Sequence, residues 1–382
     1  LMMFSGNAQA QQPGKQISIT DAVGMAKNNL QYDINTAQIT KSQAQIKSAG
    51  LIPKTGVFAE NEDMRPSDNR GVLKIGVSQS MAWPGLYKAQ KNLYGEQLKY
   101  YQANTAVVDV AIKRDVRTVY YQLWYLQDKQ LLYFRLDSIY KSLNDAAILK
   151  VKTGDSPGLD SISANVRMKE LQAKIQQTTN DVEIQQQVLM QLLNTNESLL
   201  PLMQPLEKLP VPFGNSDSLH PLLALQQQNI NIAHAGIAVV KNENKPEFSG
   251  RVFSQRLYGL KDPYTGFSVS VAFPLFGSGA YKNKIKVAQS ETALQQKQFE
   301  YEKQVIGTRQ LQMQREVEKD RNMLLFLETT GLKQADEIIK ASSLAYRAGE
   351  ISFAELSQFL TQAIDIQRNY LENLNAYNQS VI

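Results

Sequence analysis

The feature that most constrains the fold is a long stretch without proline, from Leu86 to Val151, in which Gly95 is the one glycine. Apolar residues recur along it at spacings of four and three, which is typical of a coiled coil. These residues are Ile112, Val116, Val119, Leu123, Leu126, Leu132, Leu136, Ile139, Leu143 and Ala146. A helix of this length spans roughly 100 Å, at about 1.5 Å per residue. The sequence therefore predicts one very long, coiled-coil-like helix.

Two short segments interrupt long helical patterns with a glycine followed by an acidic residue. The first, "VKTGDSPGLDS", contains Gly154 and separates the long helix from a helix predicted over about 160–193. The second, "YRAGEISFAEL", contains Gly349 and separates a helix predicted over about 281–348 from a last helix that begins at Phe353. A glycine inside a helix costs about 1 kcal/mol relative to alanine. We therefore interpret Gly154 and Gly349 as tip turns, at which the chain reverses direction.

Each long helix is preceded by two segments with the pattern of β-strands. In the first half, residues 54–64 look extended, and apolar side chains alternate with polar or small ones from Leu73 to Trp83. In the second half, "PEFSGRVFSQRLY" looks extended, and "FSVSVAFPLFG" alternates up to Phe273. Shorter helices are predicted before these strand pairs, over about 20–49 and 222–242.

The same order of elements occurs twice, which indicates an internal duplication with a period of roughly 190–195 residues. The first repeat covers residues 17–199 and the second covers 222–382, and each contains a helix, two strands, a very long helix and a further helix. A proline-rich connector covers residues 200–221 between them. Residues 1–16 are predicted to be the end of a signal peptide, with a small-x-small cleavage site at "AQA", or else a linker.

Composition excludes several classes of function. The 382 residues carry a net charge of +5 with scattered basic residues, so nucleic-acid binding is not indicated. The absence of cysteine excludes disulfides, thiolate metal sites and a cysteine nucleophile. No Walker loop or Ser/His/Asp motif is present, so neither an enzyme nor a cofactor is expected. His220 and His234 would lie about 21 Å apart on a continuous helix, too far for one metal ion. No run of 18 or more apolar residues exists, so no transmembrane helix is expected.

The four predicted strands need partners, because isolated hairpins are barely stable and the long helices point away from them. The simplest partners are the same strands in other copies of the chain, and a closed barrel shared between subunits leaves no sheet edge. Trp83 and Phe273 at strand ends would suit a membrane interface. A polar lumen would accept the charged strand residues, among them Glu60, Arg251 and Arg256. A soluble sandwich core would show the same alternation and stays an alternative.

Taken in order, these elements resemble the TolC-type outer-membrane efflux proteins over about residues 17–382. The resemblance rests on the duplicated helix–hairpin–long helix–helix order, on the two glycine breaks and on the ending "NYLENLNAYNQSVI". It implies a mainly α fold with a small β part. In such a homotrimer, each chain gives four strands to one transmembrane β-barrel and long helices to a periplasmic coiled-coil tube, with the connector in an equatorial belt. The implied function is a passive exit duct in the outer-membrane lipid, whose helix tips meet an inner-membrane pump and a periplasmic adaptor.

The resemblance also implies a gate at the tip turns. Tyr346 matches the family's gating tyrosine, and Asp160 is the acidic residue that would contact it. Asp160 and Glu355, each six residues after a tip glycine, match positions that narrow the entrance and select cations. Ile351 stands where relatives place a basic gating residue, and Arg347 is the candidate substitute.

A simpler interpretation of the acidic residues is helix capping. Asp160 and Glu355 lie in first helical turns, where the helix dipole stabilises negative charge. Ser352 to Glu355 fits a capping box, and Ser156 is a comparable cap. Both roles are compatible in one residue. For the whole chain, the rival class is a periplasmic coiled-coil adaptor or structural rod without a membrane barrel, although an adaptor would not contain two near-equal halves.

Overall fold

The structure is a computed structural model that describes residues 14–65, 70–155, 157–211, 220–257, 261, 263–274 and 277–382. The helices are α1 (Ile19–Met25), α2 (Leu30–Ser48), α3 (Pro84–Thr153), α4 (Gly158–Leu193), α5 (Pro221–Glu243), α6 (Ser278–Phe326), α7 (Leu332–Ala348) and α8 (Phe353–Val381). The strands are β1 (Lys15–Ile17), β2 (Gly56–Arg65), β3 (Arg70–Met81), β4 (Leu199–Pro201), β5 (Glu247–Leu257) and β6 (Tyr264–Ala272). Most of the predicted leader or linker, the predicted cap Ser156 and residues 212–219 of the connector lie outside the described residues.

The predicted long helices and strand pairs are confirmed, with three differences. The first helix begins at Ile19 rather than Thr20 because the Ser18 side chain accepts a hydrogen bond from the backbone N–H of Asp21. A 3₁₀ turn at Ala26–Asn28 then separates α1 from α2. In the second half, a π-helical turn at Leu327–Gly331 joins α6 to α7 without breaking the helical path. None of the helices in the described ranges is both long and apolar enough to cross a membrane.

The chain forms two compact units, and each takes segments from both halves. One unit contains residues 1–32, 109–216 and 306–382, and the other contains 33–108 and 217–305. In the second unit, the two hairpins pair with each other in an antiparallel sheet of order β2-β3-β5-β6. The two hairpins therefore pair with each other through β3 and β5 of one chain. In the described part of the chain, β2 and β6 are the edge strands of this sheet.

The register gives this sheet one apolar face. Residues paired directly across an antiparallel ladder share a face, so Val57, Val77, Val252 and Phe267 form one row. The exposed apolar side chains of this face are Val57, Leu73, Ile75, Val77, Met81, Val252, Phe267, Val269 and Val271. Phe267 keeps 80% of its surface exposed, so no other part of the described chain covers the centre of this face.

Charged side chains lie on the opposite face of the sheet. Arg251 forms an ion pair with Glu60, and Lys74 forms one with Glu62 at 2.6 Å. The Arg251 guanidinium also lies 4.1 Å from the ring centroid of Phe58. The two ion pairs connect β2 with β5 and β2 with β3. All four charged side chains lie on the face opposite the apolar one.

Arg256 departs from this separation. It pairs with Leu73, as does Asn61, so the register places it on the apolar side at the hairpin end of the strands. The prediction that Arg256 belongs to the same polar side as Arg251 is wrong, because the two residues are five apart in one strand and their side chains therefore point to opposite faces.

Side chains of the long helices hold the described part of the connector in the first unit. The side chain of Asn378, fully buried on α8, accepts a hydrogen bond from Leu209 N at 2.9 Å and donates to Glu207 O at 2.8 Å. Trp124 Nε1 donates to Gln204 O at 2.6 Å. These bonds satisfy backbone groups that have no partner in a helix or sheet.

The tip turns end α3 and α7 in the same way. Gly154 and Gly349 have φ angles of 84° and 82°, in the left-handed region. In each turn, the N–H groups of the glycine and of the acidic residue after it donate to carbonyls of the last helical turn, at 3.2 and 2.8 Å in the first and 3.2 and 2.9 Å in the second. This is the Schellman motif. The acidic residue is thus a backbone donor, and the conformation of the turn favours glycine.

Replacing Gly349 by alanine is expected to lower the free energy of unfolding by about 1–2 kcal/mol, because an L side chain is strained in the left-handed region. The matched control is Gly95→Ala inside α3, where an added Cβ meets no atom within 4 Å. This control is expected to stabilise by roughly 0.5–1 kcal/mol. Urea unfolding of both variants at one protein concentration measures the two effects, and equal changes would contradict the account of the turn.

Candidate functional site

The candidate site lies where the two tip turns meet in the first unit. The ends of α3 and α7 and the starts of α4 and α8 share one buried cluster. Its members nearest the turns are Leu143, Ala147, Ala164, Tyr346, Phe353 and Leu356. The helical stripe predicted from the sequence supplies Leu143, and Phe353 follows directly after the Ser352 cap. Packing therefore fixes the two turns side by side.

Tyr346 is the central aromatic residue of this cluster. It is 1% exposed, and its ring meets the ring of Phe353 edge to face at a centroid distance of 5.9 Å. Burial raises the pKa of Tyr346, and the negative charge of Asp160 raises it further. The hydroxyl has no hydrogen-bond partner in the described part of the chain. In this structure Asp160 therefore acts on Tyr346 through its charge, without a hydrogen bond.

Lys150 is a residue of the site that the sequence reasoning missed. Its ammonium group lies 4.4 Å from the centroid of the Tyr346 ring and donates a hydrogen bond to the backbone carbonyl of Tyr346. It belongs to the last turn of α3, four residues before Gly154. Its only signal in the sequence is a basic residue at a helix C-terminus, and its partner lies 196 residues away.

Arg347 lies against α3 rather than in the groove that contains Asp160. Its Nη2 donates to Ser142 Oγ at 3.3 Å. With Ile339 and Ser343, it lines a shallow cleft of about 360 Å³ between α3 and α7. Its predicted role as the substitute for a basic gating residue stays a prediction, while the cation that contacts Tyr346 is Lys150.

Glu355 forms the predicted capping box, which is confirmed. Its carboxylate accepts from Ser352 N at 2.8 Å, and Ser352 Oγ accepts from Glu355 N at 3.3 Å. The hydrogen bonds from the Ser352 backbone and side chain lower the pKa of Glu355. The carboxylate is exposed and charged at neutral pH, so the cap leaves its charge available to ions. At the start of α4, Pro157 makes no such side-chain cap.

A groove between α4 and α8 contains the predicted entrance residue Asp160. Ser163 and Gln358 also line this groove, which has a volume of about 1040 Å³. Asp365 adds a second carboxylate. Arg167 also lines the groove, so its polar lining carries both signs of charge. In the described part of the chain, no cluster of three acidic or histidine side chains is placed to hold a metal ion.

The predicted interface aromatics lie at one end of the sheet in the second unit. Trp83 follows β3 by two residues, and its ring stacks on Phe248 at a centroid distance of 5.9 Å. Phe273 directly follows β6 and is 61% exposed. Both therefore lie beyond the Met81 end of the apolar face, opposite the hairpin end that contains Arg256.

No protein-family model matches the chain, and no curated protein matches it. Solved structures do match over nearly its whole length. A membrane protein from Pseudomonas aeruginosa aligns with a TM-score of 0.80 at 12% identity, over 96% of this chain and 89% of that one. CusC, whose structures concern transmembrane channel formation, aligns with a TM-score of 0.77 at 13% identity, over 98% and 94%. The Campylobacter jejuni CmeC outer-membrane channel aligns with a TM-score of 0.77 at 12% identity, over 100% and 92%. The chain therefore has the fold of outer-membrane channels, and the predicted resemblance to TolC-type proteins is confirmed in its fold.

Proposed function

We propose that the protein is a passive exit duct of the outer membrane in a Gram-negative cell, built from three copies of the chain. The observation that carries the proposal is the uncovered apolar face of the four-stranded sheet, in a chain with the fold of outer-membrane channels. Lipid would cover this face, and the opposite, charged face would line a wet lumen.

The height of the apolar face supports a membrane location. The nine residues from Leu73 to Met81, whose face is apolar except for Gln79, fall within the ~9–11 residues that a tilted strand needs to cross a bilayer. Trp83 and Phe273 lie at one end, where interfacial aromatic residues are expected. Arg256 lies at the other end, where a polar side chain would reach the headgroups.

The sheet edges support an assembly of identical copies. β2 and β6 run antiparallel to each other, so β6 of one copy continues the antiparallel order when it pairs with β2 of the next. A ring of copies closes the sheet into a barrel and removes both edges. On the helices, exposed Val287, Leu294 and Tyr301 recur every seven residues on α6, which is the pattern of a helix that packs against another. The proposed number of three copies rests on the resemblance to TolC-type proteins.

We infer that the chain is an internal duplication, with repeats at 17–199 and 222–382 and the connector 200–221 in the equatorial belt. The recurrence of helix, hairpin, long helix and helix supports this, as do the two matching glycine turns. The tips would carry the gate and meet the inner-membrane pump and periplasmic adaptor. The capped, charged Glu355 would then form a ring of carboxylates at the entrance, one from each copy.

The alternative of a soluble adaptor or rod receives less support from the sheet. In water, the same apolar face and two open strand edges would be an aggregation site. The apolar face therefore favours the duct.

Phe267→Arg is expected to prevent insertion into the membrane, because a cationic side chain near the centre of the apolar band costs roughly 2–4 kcal/mol per copy. The matched control is Ser270→Arg, three residues along β6 on the opposite face, where the paired residue is the uncharged Ser249. The measurement is the fraction of protein that requires detergent for extraction and runs as a heat-sensitive trimer. Loss of trimer in both variants, or in neither, would contradict the assignment of the two faces.

Glu355→Gln is expected to weaken the cation preference of the channel, because glutamine keeps a capping box and removes the charge. Reversal potentials in planar bilayers under a salt gradient measure the preference, and Glu350→Gln is the control at an exposed acid outside the cap. An unaltered reversal potential in Glu355→Gln would exclude the proposed ring.

A further inference from the structure

We propose that Lys150 is the latch that holds the entrance closed, by tying the end of α3 to the end of α7 through the ring and backbone carbonyl of Tyr346. The proposal rests on the proposed function, since a latch has meaning only at the entrance of a duct. The closing contact is then between the Lys150 ammonium group, at the first tip turn, and the aromatic face of Tyr346, at the second.

The geometry gives Lys150 two contacts with one residue. Its ammonium group is 4.4 Å from the Tyr346 ring centroid, within the range of a cation–π interaction. The same group donates a hydrogen bond to the Tyr346 carbonyl. Lys150 is half-buried, so water screens these contacts less than it would at an open surface. Together they fix both the side chain and the backbone of Tyr346 relative to α3.

The electrostatics of the two helix ends give the cation a second role. Both α3 and α7 end at the tips, so each presents the negative end of its helix dipole there. Two like ends repel when they lie side by side. Lys150 is attracted to both ends, and it adds to the compensation from Lys152 in the last turn of α3 and from Arg347 in the last turn of α7.

The hydroxyl of Tyr346 takes no part in this latch. It is buried without a hydrogen-bond partner in the described part of the chain. The Phe353 ring packs edge to face with the ring of the same tyrosine and holds that ring in place for Lys150. The latch therefore requires an aromatic ring at position 346, and a phenylalanine satisfies it as well as a tyrosine.

Opening by outward movement of the tip helices would separate Lys150 from Tyr346. The free energy of the Lys150–Tyr346 contacts, which exist only in the closed state, therefore shifts the equilibrium towards that state.

The test is single-channel recording of the purified full chain in planar bilayers. Lys150→Met keeps the aliphatic stem and removes the charge, and we expect a roughly tenfold higher open probability. Lys150→Arg should restore the wild-type value, because arginine also donates and stacks on rings. Lys152→Met, two residues further along the same turn, is the matched control and should leave gating unchanged.

Two tyrosine variants separate the latch from a tyrosine–aspartate lock. Tyr346→Leu removes the ring and keeps the backbone carbonyl, so it should raise the open probability less than Lys150→Met does. Tyr346→Phe should leave it at the wild-type value. Trimer recovery in detergent reports folding, and Lys150→Gln replaces Lys150→Met if that variant fails to assemble. Unchanged gating in the assembled Lys150 variant, or an effect of Tyr346→Phe as large as that of Lys150→Met, would overturn the latch. Wild-type protein that forms neither trimers nor channels would overturn the proposed function itself.

Discussion

The rest of the structure depends on the four-stranded sheet, whose apolar face and two edge strands are not covered by any other part of the described chain. An apolar face and unpaired strand edges must be covered for the sheet to be stable without aggregating. The β3–β5 pairing joins two hairpins from distant parts of the sequence, which resolves the instability of an isolated hairpin. It leaves Val57, Val252 and Phe267 exposed in one row. In the proposed duct, lipid would cover that face, further copies would pair at the edges, and the opposite, charged face would line a polar lumen.

At the helix tips, the chain reverses direction between two long helices within a few residues. The Schellman turns at Gly154 and Gly349 satisfy the last carbonyls with backbone donors, so the side chains around them are free for other contacts. Tyr346, Lys150 and Glu355 use that freedom differently. Tyr346 joins the core, Lys150 bridges two helix ends, and Glu355 caps α8 while its charge stays in water.

Much of the fold could be predicted from the sequence because its elements are long and strongly periodic. The stripe from Ile112 to Ala146 and the alternation after Leu73 each repeat often enough to specify one structure. The capping box at Ser352 could also be predicted, since it is a local pattern. The pairing of β3 with β5 and the contact of Lys150 with Tyr346 could not be. Each depends on residues far apart in sequence, and their relative placement is set by register and packing.

The most direct test of the account is low-resolution electron imaging of the particle extracted in detergent. We expect a three-fold particle with a helical tube of roughly 100 Å, set by the length of the long helices, and a barrel at one end inside the detergent belt. A rod without a detergent belt, or a particle in which the sheets of different copies do not meet, would contradict the account.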